Sequence, residues 1–266
     1  MAEASGSERH VAFRGGGFEP GVRRLAPWIA FAAILLAWQA ASSTGLLPDL
    51  FMPSPLKVLA ALRELILSGT LLEHLRWSLQ RILLGWLLGT SIGLACGLVM
   101  GIFSLARSVG IPVVAALFPV PKIALLPLLI LWFGIGEPAK VATIALGVLF
   151  PTAISAYSAI DAVPRNLIRM AQSFDLPARA IVFKIILPGA LPGILSGFRI
   201  SSSIALLLLV AAEMIGAEYG IGAFVLGAGN LMQIDQLVAG VTILSVLGLG
   251  ISALLGWLER RLLRWR

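Results

Sequence analysis

Residues Pro164 to Arg199 read PRNLIRMAQSFDLPARAIVFKIILPGALPGILSGFR. No other stretch outside the long apolar runs mixes charge with helical periodicity over such a length. Arg165, Arg169, Arg179, Lys184 and Arg199 stand there against a single acid, Asp175. Leu167, Ile168, Ala171 and Phe174 fall at helical spacing, as do Ile181, Ile185 and Ile186 beyond Asp175-Leu176-Pro177. Proline disfavours the α conformation in the residue before it and is at home in a helix's first turn. The stretch therefore predicts two short helices at an angle, joined at Asp175–Pro177, with further stops at Leu187-Pro188 and Leu191-Pro192. A basic, double-elbowed element of this kind presents a stiff surface to something soluble.

What surrounds it is apolar. Of 266 residues 59% are hydrophobic and 12% charged, and mean hydropathy is +0.97. Soluble domains carry roughly 25% charged residues, so the composition predicts an all-α integral membrane protein. Runs near the roughly 20 residues needed to cross a bilayer lie at 25–41, 82–103, 109–133, 141–160, 200–216 and 237–258. Residues 1–24 lack periodicity and read as a disordered cytoplasmic leader. The run after Arg23-Arg24 is long for a signal peptide and its leader is polar and extended, so it reads as an uncleaved first span. The remainder, 25–266, reads as one transmembrane domain with the basic loop at 161–199. Six spans place both termini on one side. With the termini inside, 14 Lys and Arg are cytoplasmic and 5 external, with Lys122 inside a span. That bias obeys the positive-inside rule and puts the basic loop in the cytoplasm. The net charge of +7 thus reflects membrane orientation, and no nucleic-acid partner is expected. No lysine follows a glycine, so the chain has no Walker A loop. A lone Cys96 supports neither a disulfide framework nor a thiolate metal site.

Several local features carry expectations. Ser54-Pro55 reads as an N-cap and first-turn proline of an external interfacial helix with Leu56, Leu59, Leu62, Leu65 and Ile66 as its apolar stripe. His74 reads as a solvated or capped helical histidine. Gly85, Gly89, Gly93, Gly97 and Gly101 recur every four residues, a ridge that lets a neighbouring helix approach closely. Gly89-Thr90-Ser91-Ile92-Gly93 matches G-x-S-x-G, but a nucleophile elbow needs a strand–turn–helix context, and no catalytic residue is assigned. Pro112, Pro119, Pro121 and Pro127 break the third span. Lys122 then falls thirteen residues into a helix begun at Val109, about 20 Å along its axis. A cation at that depth demands a partner or an aqueous cavity. Lys122, Pro121, Ser202 and Glu213 are the candidate substrate-pathway residues; the other readings are a helix that begins near Ala116 with an interfacial Lys122, and a Glu213 that caps a neighbouring helix. Gly216, Gly220, Gly222, Gly227 and Gly229 read as a flexible external connection. No metal site is expected.

The basic stretch resembles the cytoplasmic "EAA" loop of binding-protein-dependent ABC transporter permeases. Ala171, the helix–turn–helix spacing, Ile185, Leu187-Pro188 and Pro192 carry the match. Pro121-Lys122-Ile123-Ala124-Leu125-Leu126-Pro127 running to Trp132-Phe133-Gly134, and Ala212-Glu213-Met214 with Gly216, are similar to the sulfonate/nitrate/taurine-type branch. Arg169 departs from the family's usual Glu, and Asp175 from its glycine; Asp tolerates a left-handed conformation better than most residues. The resemblance implies a type I ABC importer permease fold and a homodimeric pore within membrane lipid. It implies a separate ABC ATPase subunit that carries ATP and Mg and docks on Arg169, Met170, Ala171, Phe174, Asp175, Leu176 and Pro177. It also implies a solute-binding protein that delivers a small anion, a sulfonate, taurine or nitrate, and an external glycine-rich region that closes the pathway. The rival classes are an ion-coupled secondary transporter, which favours inverted repeats and intramembrane carboxylates, and a membrane enzyme, which needs paired ionisable groups within the spans.

Overall fold

A computed structural model describes residues 25–46, 48 and 51–264; the expected disordered leader, 1–24, lies outside them. Among the described residues all regular structure is helical. Two compact units divide between Lys57 and Val58. In the first, α1 (Ala26–Ser43) is an apolar helix without a buried residue. The next helix, α2 (Pro55–Leu67), starts as its sequence predicts: Pro55 is in the first turn, and the Lys57 N–H donates to Ser54 Oγ at 3.3 Å.

Along the second unit run α3 (Thr70–Ile102), α4 (Ser104–Leu117), a 3-10 turn (Lys122–Leu125) and α5 (Leu126–Phe133). They are followed by α6 (Glu137–Asp161), α7 (Arg165–Ser173), α8 (Ala178–Ile181) and a π turn (Val182–Ile186). Then come α9 (Leu187–Gly216), α10 (Ile221–Asn230) and α11 (Ile234–Leu262). Five helical stretches are long and apolar enough to cross a membrane, and six if the bent pair Ser104–Leu117 and Lys122–Phe133 forms one span. At 33 residues, α3 extends about 50 Å, well beyond the roughly 30 Å hydrocarbon core. The second span thus starts earlier than its apolar run suggests, because Arg76 and Arg81 interrupt the run without interrupting the helix.

The glycine ridge of α3 lies directly on α6. A Cβ at Gly89 would stand 2.2 Å from the Ala145 carbonyl oxygen, one at Gly93 2.4 Å from that of Leu149, and one at Gly97 2.6 Å from that of Ala153. Residue numbers rise together along the contact, so α3 and α6 run parallel. On its other side α6 receives α9 in the opposite sense, with Gly197 against Ser155 and Gly193 against Ala159. Between these three helices sit Ile82, Ile144, Val148, Ala205 and Leu209. Nearer α7 they enclose Ala156, Ile160, Ala190 and Ile194. Small residues on the facing surfaces bring the backbones together where an apolar solvent supplies no hydrophobic drive.

Three expectations are corrected. The helix after Pro177 is not short, and neither Leu187-Pro188 nor Leu191-Pro192 stops it: helix continues from Ala178 to Gly216, so the fifth span begins well before residue 200. The widened π turn at Val182–Ile186 comes immediately before Pro188, where a proline would otherwise clash with the carbonyl four residues back. The connection after Gly216 is not a flexible loop, for most of it is α10, packed against the long helices. Gly220 (φ +135°) and Gly222 are required there for close approach, since a Cβ on Gly220 would lie 2.4 Å from the Glu213 carboxyl carbon. Lys122 is not deep in a continuous span. α4 ends at Leu117, the chain bends by 84°, and Lys122 opens the 3-10 turn beyond the bend.

Candidate functional site

Two regions at opposite ends of α6 concentrate the polar chemistry. At its C-terminal end the basic stretch forms α7 and the turn to α8. The turn is a Schellman closure: the Asp175 N–H donates to Gln172 O at 3.0 Å and the Leu176 N–H to Ala171 O at 3.2 Å. Such a closure needs a left-handed residue after the helix, and Asp175 supplies it with φ +55°. Pro177 caps α8, its carbonyl accepting the Ala180 N–H at 2.8 Å. Ala171 and Ile181 are buried and anchor the element. The opposite face is uncovered: Phe174 is 74% exposed and Met170 52%, with Leu167 and Leu176 each at 40%. Arg169 is also exposed, on the side of α7 that carries Arg165 and Gln172. Two ion pairs brace this end from outside the turn, Arg107–Asp161 at 2.6 Å and Arg199–Glu259 at 2.5 Å.

The other end holds a buried ionic network. Arg81, 2% exposed, donates from Nη1 to Glu213 Oε1 at 2.7 Å and to the Tyr219 carbonyl at 2.5 Å. Its Nε and Nη2 grip both oxygens of Glu137 at 2.5 and 2.8 Å. Lys140 adds a 3.1 Å contact to Glu137, so two cations meet two carboxylates. Glu213 also accepts from Ser78 Oγ and, at 2.8 Å, from the Gly222 N–H in the first turn of α10. Ser78 Oγ in turn accepts the Ile221 N–H at 2.9 Å. His74 Nδ1 accepts the Gly220 N–H at 3.0 Å, with its ring against Tyr219 and Phe224. The network pins α3, α6 and α9 to the start of α10 and satisfies the orphan donors there.

Of the residues expected on the pathway, none presents an unpartnered charge. Lys122 Nζ donates to the carbonyls of Leu117, Phe118 and Val120 at 2.7–2.8 Å, and lies 4.7 Å from the Phe150 ring centroid. It closes the C-terminal end of α4. Pro121 caps the 3-10 turn. Ser202 is buried with its hydroxyl on the Arg199 carbonyl at 2.8 Å. Glu213 belongs to the ionic network. The residues that sequence reading overlooked are Arg81, Glu137 and Lys140. Arg81 precedes Gly85 by four, so it occupies the next step of the glycine ridge. That spacing already places its side chain toward α6.

A parallel α3–α6 pair, an antiparallel α9, a bent span and one exposed basic elbow define a polytopic helical membrane protein. Residues 89–264 match the family described as binding-protein-dependent transport system inner membrane component, and this chain belongs to it. It is 37% identical over 235 residues to the putative aliphatic sulfonates transport permease protein SsuC of Bacillus subtilis, covering 88% of this chain and 85% of that one. To the taurine transport system permease protein TauC of Escherichia coli it is 36% identical over 239 residues, covering 88% and 87%. Its fold matches the inward-facing MetNI methionine ABC transporter with a TM-score of 0.64 at 20% identity, over 74% of this chain and 97% of that one. A solved amino acid ABC transporter aligns with a TM-score of 0.62 at 19% identity, over 75% and 97%. The chain is thus a membrane-spanning permease of the type I ABC importer fold.

Proposed function

We propose that this permease conducts small sulfonate-type anions inward, driven by a separate ATPase subunit that docks on α7 and the turn at Asp175–Pro177. The carrying observation is the exposed apolar knuckle of Met170, Phe174 and Leu176 on a basic element outside the long apolar helices. A patch that protrudes in this way has the chemistry of a protein contact. Ala171, buried within this chain, supports the knuckle from behind. The excess of Lys and Arg at this end supports a cytoplasmic placement of the loop and of both termini. ATP and Mg then act on the ATPase, and a solute-binding protein delivers substrate to the end closed by Arg81, Glu137 and Glu213.

The relatives named for sulfonates and taurine support the substrate class, with nitrate-like anions as its nearest variant. An apolar groove of about 510 Å3 between α3, α5 and α6, lined by Leu88, Ile92, Leu129 and Trp132, suits a second copy of the chain. Membrane lipid covers the remaining apolar surface. Lys122 and Pro121 enter this reading as residues that hold the elbow, Glu213 as one that holds the closed end of the pathway, and Ser202 as a buried residue of α9 along its wall.

Phe174→Asp tests the docking. A carboxylate forced into a packed contact is strongly unfavourable, so the variant should insert normally, lose the copurifying ATPase and lose ATP-dependent taurine uptake into vesicles. Normal ATPase retention and uptake would remove the docking assignment. Orientation is read separately, with Arg179→Cys in a Cys96→Ala background: labelling of intact cells by an impermeant thiol reagent would invert the topology.

A further inference from the structure

Beneath α7, between it and the ends of α3 and α6, lies a cavity of about 380 Å3. Arg107, Asp161, Arg165 and Arg169 form its polar wall, and Ile160 and Ile186 contribute to its apolar one. Arg107 and Asp161 neutralise each other at 2.6 Å, and the Arg107 guanidinium lies 5.0 Å from the Tyr157 ring centroid. Arg165 and Arg169 have no ion pair or side-chain hydrogen bond among the described residues, which leaves the cavity with two uncompensated positive charges. Their placement is unfavourable within the chain itself. They are four apart on one helix, where like charges repel. Arg165 opens a helix with no acid in its first turn, where the helix dipole disfavours a cation. An anion between the two guanidinium groups would relieve both.

We propose that this cavity binds a phosphate oxyanion supplied by the head group of an acidic membrane lipid. Two guanidinium forks match the oxygens of a phosphate. The apolar wall beside them, at the ends of the apolar helices α3 and α6, has no role for a free ion but fits the glycerol and first methylenes of a lipid. Basic pockets between membrane helices hold lipid head groups by the same chemistry. The site lies on the face of α7 turned toward α3 and α6, separate from the knuckle around Phe174.

The test uses the permease purified with its ATPase. The complex is placed in nanodiscs of phosphatidylcholine with a minor fraction of phosphatidylglycerol, re-extracted in mild detergent, and its retained lipid quantified by mass spectrometry. The wild type should retain phosphatidylglycerol far above its share of the disc. Arg165→Gln/Arg169→Gln should reduce that enrichment about 30-fold, at roughly fivefold per arginine. Arg260→Gln/Arg261→Gln, which do not line the cavity, should leave it unchanged. No enrichment in the wild type, or equal enrichment in the Arg165/Arg169 variant, overturns the proposal. Arg165→Lys/Arg169→Lys keeps the charge and removes the fork; it should retain an intermediate amount, and full retention overturns the guanidinium recognition. Inorganic phosphate at millimolar concentration separates the sources. Failure to displace the phosphatidylglycerol supports the lipid; displacement, with labelled phosphate bound in discs of phosphatidylcholine alone, assigns the site to free phosphate and overturns the lipid.

Discussion

Replacing Arg81 with methionine keeps an unbranched apolar stem and removes every contact that the guanidinium makes in the buried network. The guanidinium makes four short hydrogen bonds, two to Glu137, one to Glu213 and one to the Tyr219 carbonyl. Its loss bears unequally on the two acids. Glu137 has a side chain 38% exposed and keeps Lys140 as a neighbour, so water and the ammonium compensate it. The Glu213 side chain is 0% exposed and is left with Ser78 and the Gly222 N–H, neither of them a cation. Removing one partner of a buried pair costs about 3–5 kcal/mol, most of it the uncompensated charge that stays behind. For a chain of this size that corresponds to a fall in thermal midpoint on the order of 10 °C. The decisive comparison is Arg81→Met/Glu213→Gln. Glutamine can still accept from Ser78 and Gly222 but carries no charge, so the double variant should regain at least half of the loss. The measurement is the unfolding midpoint of each purified variant in one detergent, assembled into a double-mutant cycle. If the double variant is as unstable as Arg81→Met, or the two single effects merely add, the cost does not arise from a stranded Glu213 and this account of the network fails.

Three further outcomes follow from particular contacts. Gly89→Ala places a methyl 2.2 Å from a backbone carbonyl of α6; overpacking of about 1–3 kcal/mol should outweigh the roughly 1 kcal/mol gained in helix propensity and lower the midpoint. Gly250→Ala, which meets nothing within 4 Å, should raise it, and a rank order reversed between the two would contradict the packing. Asp175→Gly should hold or raise stability and preserve ATPase retention, because glycine takes the left-handed conformation without penalty; Asp175→Val should lose both, as scored by midpoint and by copurification. Thr152 is buried with its hydroxyl unpartnered among the described residues, so Thr152→Val should be neutral or stabilising by about 1 kcal/mol, and a clear destabilisation would reveal a partner for that hydroxyl.

The parts of this fold that sequence makes legible depend on short-range patterns. Hydropathy finds the spans because each must be apolar over its own length. A four-residue glycine period identifies the α3 face that meets α6, since one helix alone determines which of its residues share a stripe. Ser54-Pro55 and Asp175 announce a helix start and a helix end through local stereochemistry. The ionic network has no such signature. Arg81 is 56 residues from Glu137 and 132 from Glu213, and a cation before an apolar run looks like an interfacial anchor. Only its register with the glycines hints otherwise. The elbow at Lys122 and the continuity of α9 through Pro188 escape for a related reason. Proline frees a carbonyl, and whether a lysine, a π turn or a break absorbs the disturbance is decided by three-dimensional neighbours.

The distribution of satisfied and unsatisfied groups separates the two ends of the bundle. Around Arg81 two cations, two carboxylates, a serine and the first N–H groups of α10 satisfy one another, and most of the charge is buried. Nothing there calls for a partner to complete the chemistry; a ligand or protein arriving at that end has to compete with contacts already made. At the α7 end the opposite holds. Phe174 and Met170 are bare, Arg165 and Arg169 have no counter-charge among the described residues, and the turn that carries them is closed firmly by its own backbone. A rigid element with unsatisfied apolar and cationic groups is stabilised by association, whereas a satisfied network is disturbed by it. Among the described residues the α7 element is the one with this character, in keeping with the docking proposed above. Helix continues from α8 through the π turn into α9 as far as Glu213, so on the proposed docking a rotation imposed at the knuckle would act along one continuous helix on the carboxylate of the buried network.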